Sequence, residues 1–199
     1  FRYYLVAQPV TTVSFSKGRG AAFVVREIME GELDAGQFDR PAAVIAERYR
    51  RGGRCLAAFK NDVLLGYLWF TLGDYQEDEV RAVFAPDASA AWDFDVQVFP
   101  QHQFTMAFPR LWDSANLVLD GLGVRWSCSR ISAFNAASGA AHRRMGAERI
   151  ATAVFLVCGK WQLTLATQLP FVQLSSSAAD APRFRLAPTL DPRQTVATK

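Results

Sequence analysis

A chain of 199 residues, half of them apolar and 13% aromatic, has the size and composition of one globular domain and lies far from the signature of disorder. Its formal charge of +3 is too small for a protein that wraps nucleic acid, so we expect no nucleic-acid partner. The three cysteines, Cys55, Cys128 and Cys158, are odd in number and widely spaced. They predict neither a disulfide framework nor a CxxC metal or redox site, and they indicate a reducing compartment.

The longest apolar stretches, Val63–Phe70 and Ile150–Cys158, are much shorter than the ~18 residues that a membrane-spanning helix needs. No basic segment followed by an apolar one opens the sequence, so no secretory leader is expected. We therefore expect a cytoplasmic protein without a membrane span.

The first fifty residues predict a short edge strand, a loop and two helices. Tyr3–Val6 alternates weakly before a proline, and Lys17–Gly20 has loop composition. Val24–Glu32 is interpreted as a first helix and Pro41–Arg50 as a second, which two glycines end. The arginines around the end of this helix are expected to form a solvated helix end rather than an RNA-binding patch; they are Arg48, Arg50, Arg51 and Arg54.

The middle of the chain predicts a sheet that two helices interrupt. Turn signals separate runs with strand composition, and apolar residues at helical spacing precede Gly121 and Gly123. The predicted strands are Arg54–Lys60, Val63–Leu72, Glu79–Phe84, Trp92–Phe99, Val124–Ala133, Ile150–Val157 and Gln162–Thr167, with helices at Pro109–Gly121 and Ala136–Met145.

This order predicts an α/β (α+β) fold in which helices lie on both faces of a mixed sheet. The sequence becomes rich in Ser, Ala, Asp and Pro from Ser175, and no periodicity survives beyond Pro182. We predict a single domain over residues 1–174 and a partly disordered tail over 175–199.

One segment carries a family resemblance. Asn135-Ala-Ala-Ser-Gly-Ala-Ala-His142-Arg-Arg-Met-Gly146-Ala147 lies between two predicted strands. It resembles the Asn-x-x-Ala-x-x-x-Tyr-x-x-x-Gly-Phe signature of the GCN5-related N-acetyltransferase (GNAT) superfamily. Upstream, Val98-Phe-Pro-Gln-His-Gln103 is similar to the family's Val-x-Pro-x-x-Arg/Gln, and Gly66 fits its second strand. The resemblance covers roughly Arg54 to Thr167.

The resemblance implies an acyltransferase that takes acetyl-CoA or another acyl-CoA as donor and an amine, of a small molecule or a protein, as acceptor. The resemblance also implies a GNAT-like, mostly antiparallel sheet of about seven strands. In the family, the pantetheine arm bonds to strand backbone where two parallel strands separate. In this sequence these would be the strand that ends near Phe99 and the strand that begins near Val124, which are therefore expected to be adjacent and parallel. The pyrophosphate binds N–H groups at the start of the following helix. The implied cofactor contacts are Val98, Gln103, Thr105, Ala107 and Phe108 before and within that helix, and Asn135, Ser138 and Arg143 in the motif segment.

The phosphate loop departs from the family pattern, because Met106 and Phe108 stand where the family has glycines. Glycine lets backbone approach a phosphate closely, whereas these side chains would crowd it, and Pro109 removes one N–H donor. We therefore expect coenzyme A to bind weakly or in an altered pose. Acyl carrier protein is retained as an alternative donor.

The resemblance places His142 at the family's Tyr position, where an acid protonates the departing thiolate; an imidazolium could supply that proton near neutral pH. The alternative is a surface histidine beside Arg143. Asn135 has two interpretations as well, a contact to the cofactor arm or a cap of the helix that follows.

Asp93 and Asp95 are the candidates for assisting loss of the amine proton. Strand alternation puts both on one face, where they are expected to meet arginines or to face the substrate. The acidic run Glu77–Glu79 is interpreted as a solvated turn, with recognition of a cationic acceptor as the alternative. Cys128 is interpreted as a buried structural thiol rather than a nucleophile. No residue cluster has metal-ligand spacing, so no metal is expected.

Two classes of function remain open at this point. The first is an N-acyltransferase that uses acyl-CoA or acyl carrier protein. The second is a catalytically inactive protein of the same fold that binds a metabolite or a protein partner. The oligomeric state is also open, a homodimer included.

Overall fold

The computed structural model describes residues 1–188. Their contacts form two compact units. The first unit comprises Phe1–Val10, Gly73–Trp92 and the described residues from Val124 onward, and the second comprises Thr11–Leu72 and Asp93–Gly123. In chain order the elements are β1 (Arg2–Pro9), β2 (Val24–Ile28), α1 (Ala42–Arg50), β3 (Arg54–Lys60), β4 (Val63–Thr71), β5 (Tyr75–Gln76), β6 (Val83–Pro86), β7 (Ala90–Val98), α2 (Ala107–Gly121), β8 (Trp126–Ser132), α3 (Ala136–Arg144), β9 (Glu148–Cys158), β10 (Trp161–Ala166), β11 (Val172–Ser175) and β12 (Arg183–Leu186).

The predicted class of sheet is confirmed. Hydrogen-bonded strands follow the order β11-β10-β9-β1-β8-β7-β4-β3-β2, and a small second sheet has the order β12-β6-β5. The large sheet is mostly antiparallel, with β7 and β8 parallel. Within residues 1–188 the structure has twelve strands rather than about seven. The short edge strand and the seven other predicted strands correspond to eight of them, and β2, β5, β11 and β12 were not predicted.

In the first unit, β1 lies inside the sheet and not at its edge. It pairs antiparallel with β8 on one side and with β9 on the other. The side chains of Tyr3, Leu5 and Ala7, which share one face of β1, are buried. The short alternating pattern could not show this position, because both neighbours lie more than a hundred residues further along the chain.

In the second unit, the predicted helix over Val24–Glu32 is wrong. Residues Val24–Ile28 form β2, which pairs antiparallel with β3. Two β-branched residues open this segment and favour a strand. The guanidinium of Arg54 also donates to both carboxylate oxygens of Glu27 at 2.6 and 2.7 Å, which links the two strands.

Helices cover both faces of the β2-β3-β4 sheet in the second unit, as predicted. Ile45 of α1 packs with Cys55, Ala57 and Trp69 on one face. The next residues along these strands point the other way and are also buried, and α2 packs against β2, β3 and β4. Within residues 1–188 no helix is both long and apolar enough to cross a membrane; α2, of 15 residues, is the longest.

The predicted tail contains a strand. β12 pairs in parallel with β6, and the ring of Phe184 is buried and stacks on Phe84 with centroids 5.7 Å apart. The prediction that no periodicity survives beyond Pro182 is wrong here, because Arg183–Leu186 alternates exposed arginines with the buried Phe184 and Leu186. Residues 189–199 of the predicted tail lie outside the described residues.

Candidate active site

The parallel pairing of β7 and β8 covers only the start of each strand. Ala90–Trp92 lie opposite Trp126–Cys128, which confirms the prediction that these strands are adjacent and parallel. β8 continues to Ser132 with β1 as partner on its other edge. The ladder with β7 therefore ends at Cys128, four residues before the end of β8.

The predicted site residues fall into two groups. Asn135, Ser138, His142 and Arg143 belong to the first unit. The other seven, Asp93, Asp95, Val98, Gln103, Thr105, Ala107 and Phe108, belong to the second.

In the first unit, Asn135 caps α3. Its Oδ1 accepts a hydrogen bond from the N–H of Ser138 at 3.0 Å, so the cap interpretation is correct and Ser138 supplies the capped donor. The side chain of Asn135 is exposed, and the cap uses only its oxygen, which leaves the amide nitrogen as a donor. Phe134, directly before it, is 85% exposed.

A pocket of about 400 Å³ lies between α3 and the sheet of the first unit. Its apolar part comes from the strands and the turn after α3, and its polar part from α3 and β9. The lining residues are Tyr4, Val6, Ile131, Gly139, His142, Arg143, Ala147 and Arg149. Two arginines and no acidic side chain line it, which suits an anionic group with an apolar portion.

His142 lies in this lining and is 7% exposed, so the interpretation as a surface histidine is wrong. Burial lowers its pKa to about 4. The imidazole is therefore neutral at pH 7, and the expected imidazolium is not present there. A neutral imidazole carries one N–H donor and one acceptor nitrogen.

Tyr4 and Arg149 were missed as lining residues. The guanidinium of Arg149 lies 4.8 Å from the centroid of the Tyr4 ring, a cation–π contact between β9 and β1. The motif segment of α3 was recognisable from its pattern, whereas β1 reaches the pocket only through sheet pairing. Arg149 did carry one signal, since it follows the Gly146 turn that ends the motif.

In the second unit, neighbouring residues of the chain already bond to N–H groups at the start of α2. The Thr105 hydroxyl donates to the His102 carbonyl at 2.7 Å and accepts from the Ala107 N–H at 3.2 Å. Pro109 has no N–H, and the Arg110 N–H already bonds to a carbonyl in the preceding turn. Among residues 107–110 of this described segment, only the N–H of Phe108 remains for an anion.

Met106 and Phe108 have partners within the second unit. A Cβ placed on Gly20, whose φ is +77°, would lie 2.8 Å from the Met106 Cβ, so the loop at Gly20 lies directly on Met106. Phe108 packs on Trp112 one turn further along α2, with ring centroids 6.4 Å apart. Gln103 is exposed, Val98 is half-buried at the end of β7, and Ala107 is buried.

The loop that covers Met106 is anchored to α2 through Asp113. This carboxylate accepts hydrogen bonds from the Ser14 hydroxyl at 2.8 Å and from the Phe15 N–H at 2.6 Å. Burial alone would raise the pKa of Asp113, but hydrogen bonds from Ser16, Ser14 and the Phe15 backbone lower it below its usual value. The carboxylate therefore stays charged and holds the loop in place.

Asp95 meets arginines, one of the two expected alternatives. Its carboxylate lies 2.7 Å from Arg48 and 3.6 Å from Arg40. The side chain of Arg48 is only 6% exposed and lies over the rings of Trp69 and Phe94, so the prediction of a solvated arginine is wrong at this position. The Asp95 carboxylate is therefore engaged in ion pairs within the second unit. Asp93 is also buried.

The acidic run in the first unit is neutralised as well. Arg130 donates to both carboxylate oxygens of the buried Glu77 and lies 3.1 Å from Glu79, which accepts from the Tyr3 hydroxyl at 2.7 Å. The interpretation as a solvated turn is wrong for Glu77. Cys128 is fully buried, as expected of a structural thiol. Residues 1–188 hold no group of three or more His, Cys, Asp or Glu that could bind a metal ion.

Comparison with solved structures identifies the fold. The chain is similar to a conserved protein of unknown function from Staphylococcus epidermidis (10% identity, TM-score 0.56, covering 76% of this chain and 58% of that one). It is also similar to a tandem GNAT protein of the clavulanic acid biosynthesis pathway (19% identity, TM-score 0.50, covering 74% of this chain and 50% of that one). A third similar structure is that of an aminoglycoside N-acetyltransferase in complex with CoA (18% identity, TM-score 0.52, covering 71% of this chain and 98% of that one).

The chain thus spans 58% and 50% of the first two of these proteins. No protein-family model and no curated protein matches the sequence. The structural likeness shows that the chain has the GNAT fold.

Proposed function

We propose that the protein is an acyltransferase that moves an acetyl or longer acyl group from a phosphopantetheine thioester to an amine. The observation that carries the proposal is the short parallel ladder of β7 and β8, which ends at Cys128 and leaves four further residues of β8 beyond it. A pantetheine arm has amide groups that can bond to a strand edge as an added strand does. The GNAT fold and the pocket at α3 support the same conclusion.

In the proposed reaction the amine nitrogen attacks the thioester carbonyl, the carbon–sulfur bond breaks, and the sulfur leaves as a thiolate or takes up a proton. His142 contributes a neutral N–H as a hydrogen-bond donor in this scheme, since its low pKa removes the imidazolium at neutral pH. Asp95 is held in an ion pair with Arg48 and has no part in this scheme. Water then carries away the proton that the amine loses.

Recognition of the donor rests on the pantetheine arm more than on the phosphates. The start of α2 offers a single N–H, that of Phe108, where a glycine-rich loop would offer several. This supports either a short phosphopantetheine donor, as on acyl carrier protein, or a coenzyme A whose phosphates contribute little to the binding free energy. Both share the same thioester chemistry.

Calorimetric titration with acetyl-CoA and with acetyl-pantetheine, which lacks all phosphates, tests this view. We expect dissociation constants within about tenfold of each other, a difference of about 1.4 kcal/mol. An advantage of about 1,000-fold for acetyl-CoA would show that the phosphates are recognised and would contradict the argument about α2. If neither compound binds at millimolar concentration, the acyl-transfer proposal itself fails.

Substitutions of Asn135 distinguish a contact to the pantetheine arm from its role as the cap of α3. Asn135→Ser keeps an oxygen that can cap α3 but loses the amide N–H₂, whereas Asn135→Ala loses both. If the amide contacts the pantetheine arm, both variants should bind acetyl-pantetheine about 5- to 10-fold more weakly, and only the Ala variant should lose stability as well. Wild-type affinity in the Ser variant would leave Asn135 as a cap alone.

The acceptor is proposed to be a small amine that also carries an anionic group. Arg143 and Arg149 line the pocket without an acidic neighbour, which disfavours a polycation there. Thiol release should be faster with an amino acid than with its uncharged amide, and Arg149→Gln should remove most of that preference. Equal rates with both acceptors would refute this assignment.

The alternative function is a catalytically inactive binding protein. The self-capped start of α2 and the neutral His142 favour it specifically. It predicts that acetyl-pantetheine binds but that no amine accelerates thiol release.

A further inference from the structure

One face of the β9-β10-β11 sheet in the first unit is apolar from Val154 of β9 outward to β11. Register places Leu156 opposite Leu163, and Leu163 opposite Leu174 in the next strand. Neighbours two residues away along each strand share this face. Its members, called the β9–β11 face, are Val154, Leu156, Cys158, Trp161, Leu163, Leu165, Val172 and Leu174.

The alternation of β10 and β11 is inverted with respect to solvent. On β10 the polar residues Gln162 and Thr164 are buried, while Trp161 and Leu165 are exposed. On β11, Ser175 is buried and Leu174 is exposed. In a sheet with one wet face the apolar set normally points inward.

Specific hydrogen bonds hold this inverted register. The side-chain carbonyl of Gln162 accepts from the Arg81 N–H at 2.8 Å, and its amide nitrogen donates to the Arg81 carbonyl at 2.7 Å. A slip of one residue would turn the apolar set inward and would break both bonds. These hydrogen bonds hold the polar side chain of Gln162 on the inner side of the sheet. The apolar side chains of β10 therefore face outward because the register is specified.

The β9–β11 face is as large as the exposed apolar patches that mark interaction sites. Leu156, Trp161, Leu165, Val172 and Leu174 are between 39% and 66% exposed. At roughly 150–250 Å² for a large side chain, this leaves on the order of 500 Å² of apolar surface. Exposed patches above a few hundred Å² mark interaction sites, and two such patches together reach the ~1,000 Å² of a specific interface.

The outer strand adds a second feature. β11 is the last strand of the sheet order, and Val172–Ser175 contains neither a charged residue nor a proline. Such residues normally protect an open edge from pairing with another chain. β11 therefore has both an apolar face and an unprotected edge.

We infer that the β9–β11 face is a two-fold interface with a second copy of this chain. A two-fold interface brings one patch against itself, so it must be self-complementary. A face with no charge meets this condition, because like charges would otherwise oppose each other. The estimated area, the inverted alternation and the unprotected β11 edge all point to the same occupant. This inference is independent of acyl transfer.

Sedimentation over an approximately 100-fold range of concentration tests the interface by mass action. The expected result is a species of twice the 22.1 kDa of one chain that dissociates on dilution. Leu156→Glu and Leu174→Glu, both at exposed positions, should raise the dissociation constant at least about 100-fold, since each buries two unpaired carboxylates per dimer. Leu117→Glu is the matched control, because Leu117 is 67% exposed on α2 and outside the face; its dimer should persist.

Cys158 gives a second readout from the unaltered chain. It lies on the β9–β11 face and is exposed, whereas Cys55 and Cys128 are buried. Alkylation of Cys158 should slow about tenfold as the protein concentration rises through the dissociation constant, and it should stay fast in Leu174→Glu. The inference is overturned if the chain remains monomeric at every concentration. It is also overturned if Leu156→Glu and Leu174→Glu both leave the dimer intact, or if only a different protein covers the β9–β11 face.

Discussion

Lowering the pH should destabilise this protein through one residue in particular. His142 is buried in the lining of the α3 pocket, and burial lowers its pKa from 6.5 to about 4. The unfolded chain binds the proton more readily than the folded chain between these two values. The stability contributed by the neutral form is therefore fully present above pH 6.5 and is lost as the pH falls towards 4.

The size of the effect follows from the shift. At about 1.4 kcal/mol per pKa unit, the complete loss is about 3 kcal/mol, and at pH 5 it is already about 2 kcal/mol. This is a large part of the 5–15 kcal/mol typical of a domain. Carboxylates also titrate near pH 4, so the contribution of His142 must be isolated by a variant.

Urea denaturation at pH 7 and pH 5 provides the measurement. In the wild type the free energy of unfolding should fall by about 2 kcal/mol more between these pH values than in His142→Leu, which has no group to protonate. The carboxylates are shared and cancel in this comparison. His102→Leu, in the second unit, is the matched control and should keep the wild-type difference.

Equal pH dependence in the wild type and in His142→Leu would refute this account. Proton NMR of the imidazole offers a direct check, with a midpoint expected near pH 4. A midpoint near the ordinary 6.5 would mean that His142 is solvated, and an imidazolium acid at neutral pH would again be available for catalysis.

Two further substitutions test the second unit. Gly66→Ala should destabilise by about 2–3 kcal/mol, because a Cβ there would collide with the backbone carbonyl of Gln97, while Gly121→Ala, with open space at the end of α2, should be neutral or stabilising by up to about 1 kcal/mol. Arg48→Ala should cost about 3–5 kcal/mol because it leaves a nearly buried carboxylate uncompensated, whereas Arg40→Ala, at an exposed ion pair, should cost less than about 1 kcal/mol. Chemical denaturation measures all four; equal losses for the two glycine variants, or for the two arginine variants, would contradict the reasoning.

Local sequence patterns were sufficient for much of the fold. β3 was predicted over the residues that form it, and α1, α2 and α3 differ from the predictions by one or two residues at their ends. These elements have strong periodicity and clear stop signals, which act over a few residues. The order of strands and helices then predicted a mixed sheet with helices on both faces, and the family resemblance predicted the GNAT-like sheet with the parallel neighbours β7 and β8.

Half of the candidate pocket was also accessible from the sequence. The segment from Asn135 to Arg143 forms one helix, so its pattern alone indicated which side chains act together. The environment of His142 was not accessible, because the pKa of an imidazole depends on the strand residues that bury it. The same holds for Asp95, whose partner Arg48 lies 47 residues away in the chain.

The sequence by itself determined the elements and the motif, since turn chemistry and periodicity are local properties. Only the tertiary structure decided that β1 lies inside the sheet and that Val24–Ile28 is a strand paired with β3. It also decided which side of β10 faces inward, because two hydrogen bonds between Gln162 and Arg81 outweigh the alternation of apolar residues. Pairing across a sheet joins residues that are distant in the chain, and no local pattern specifies the partner.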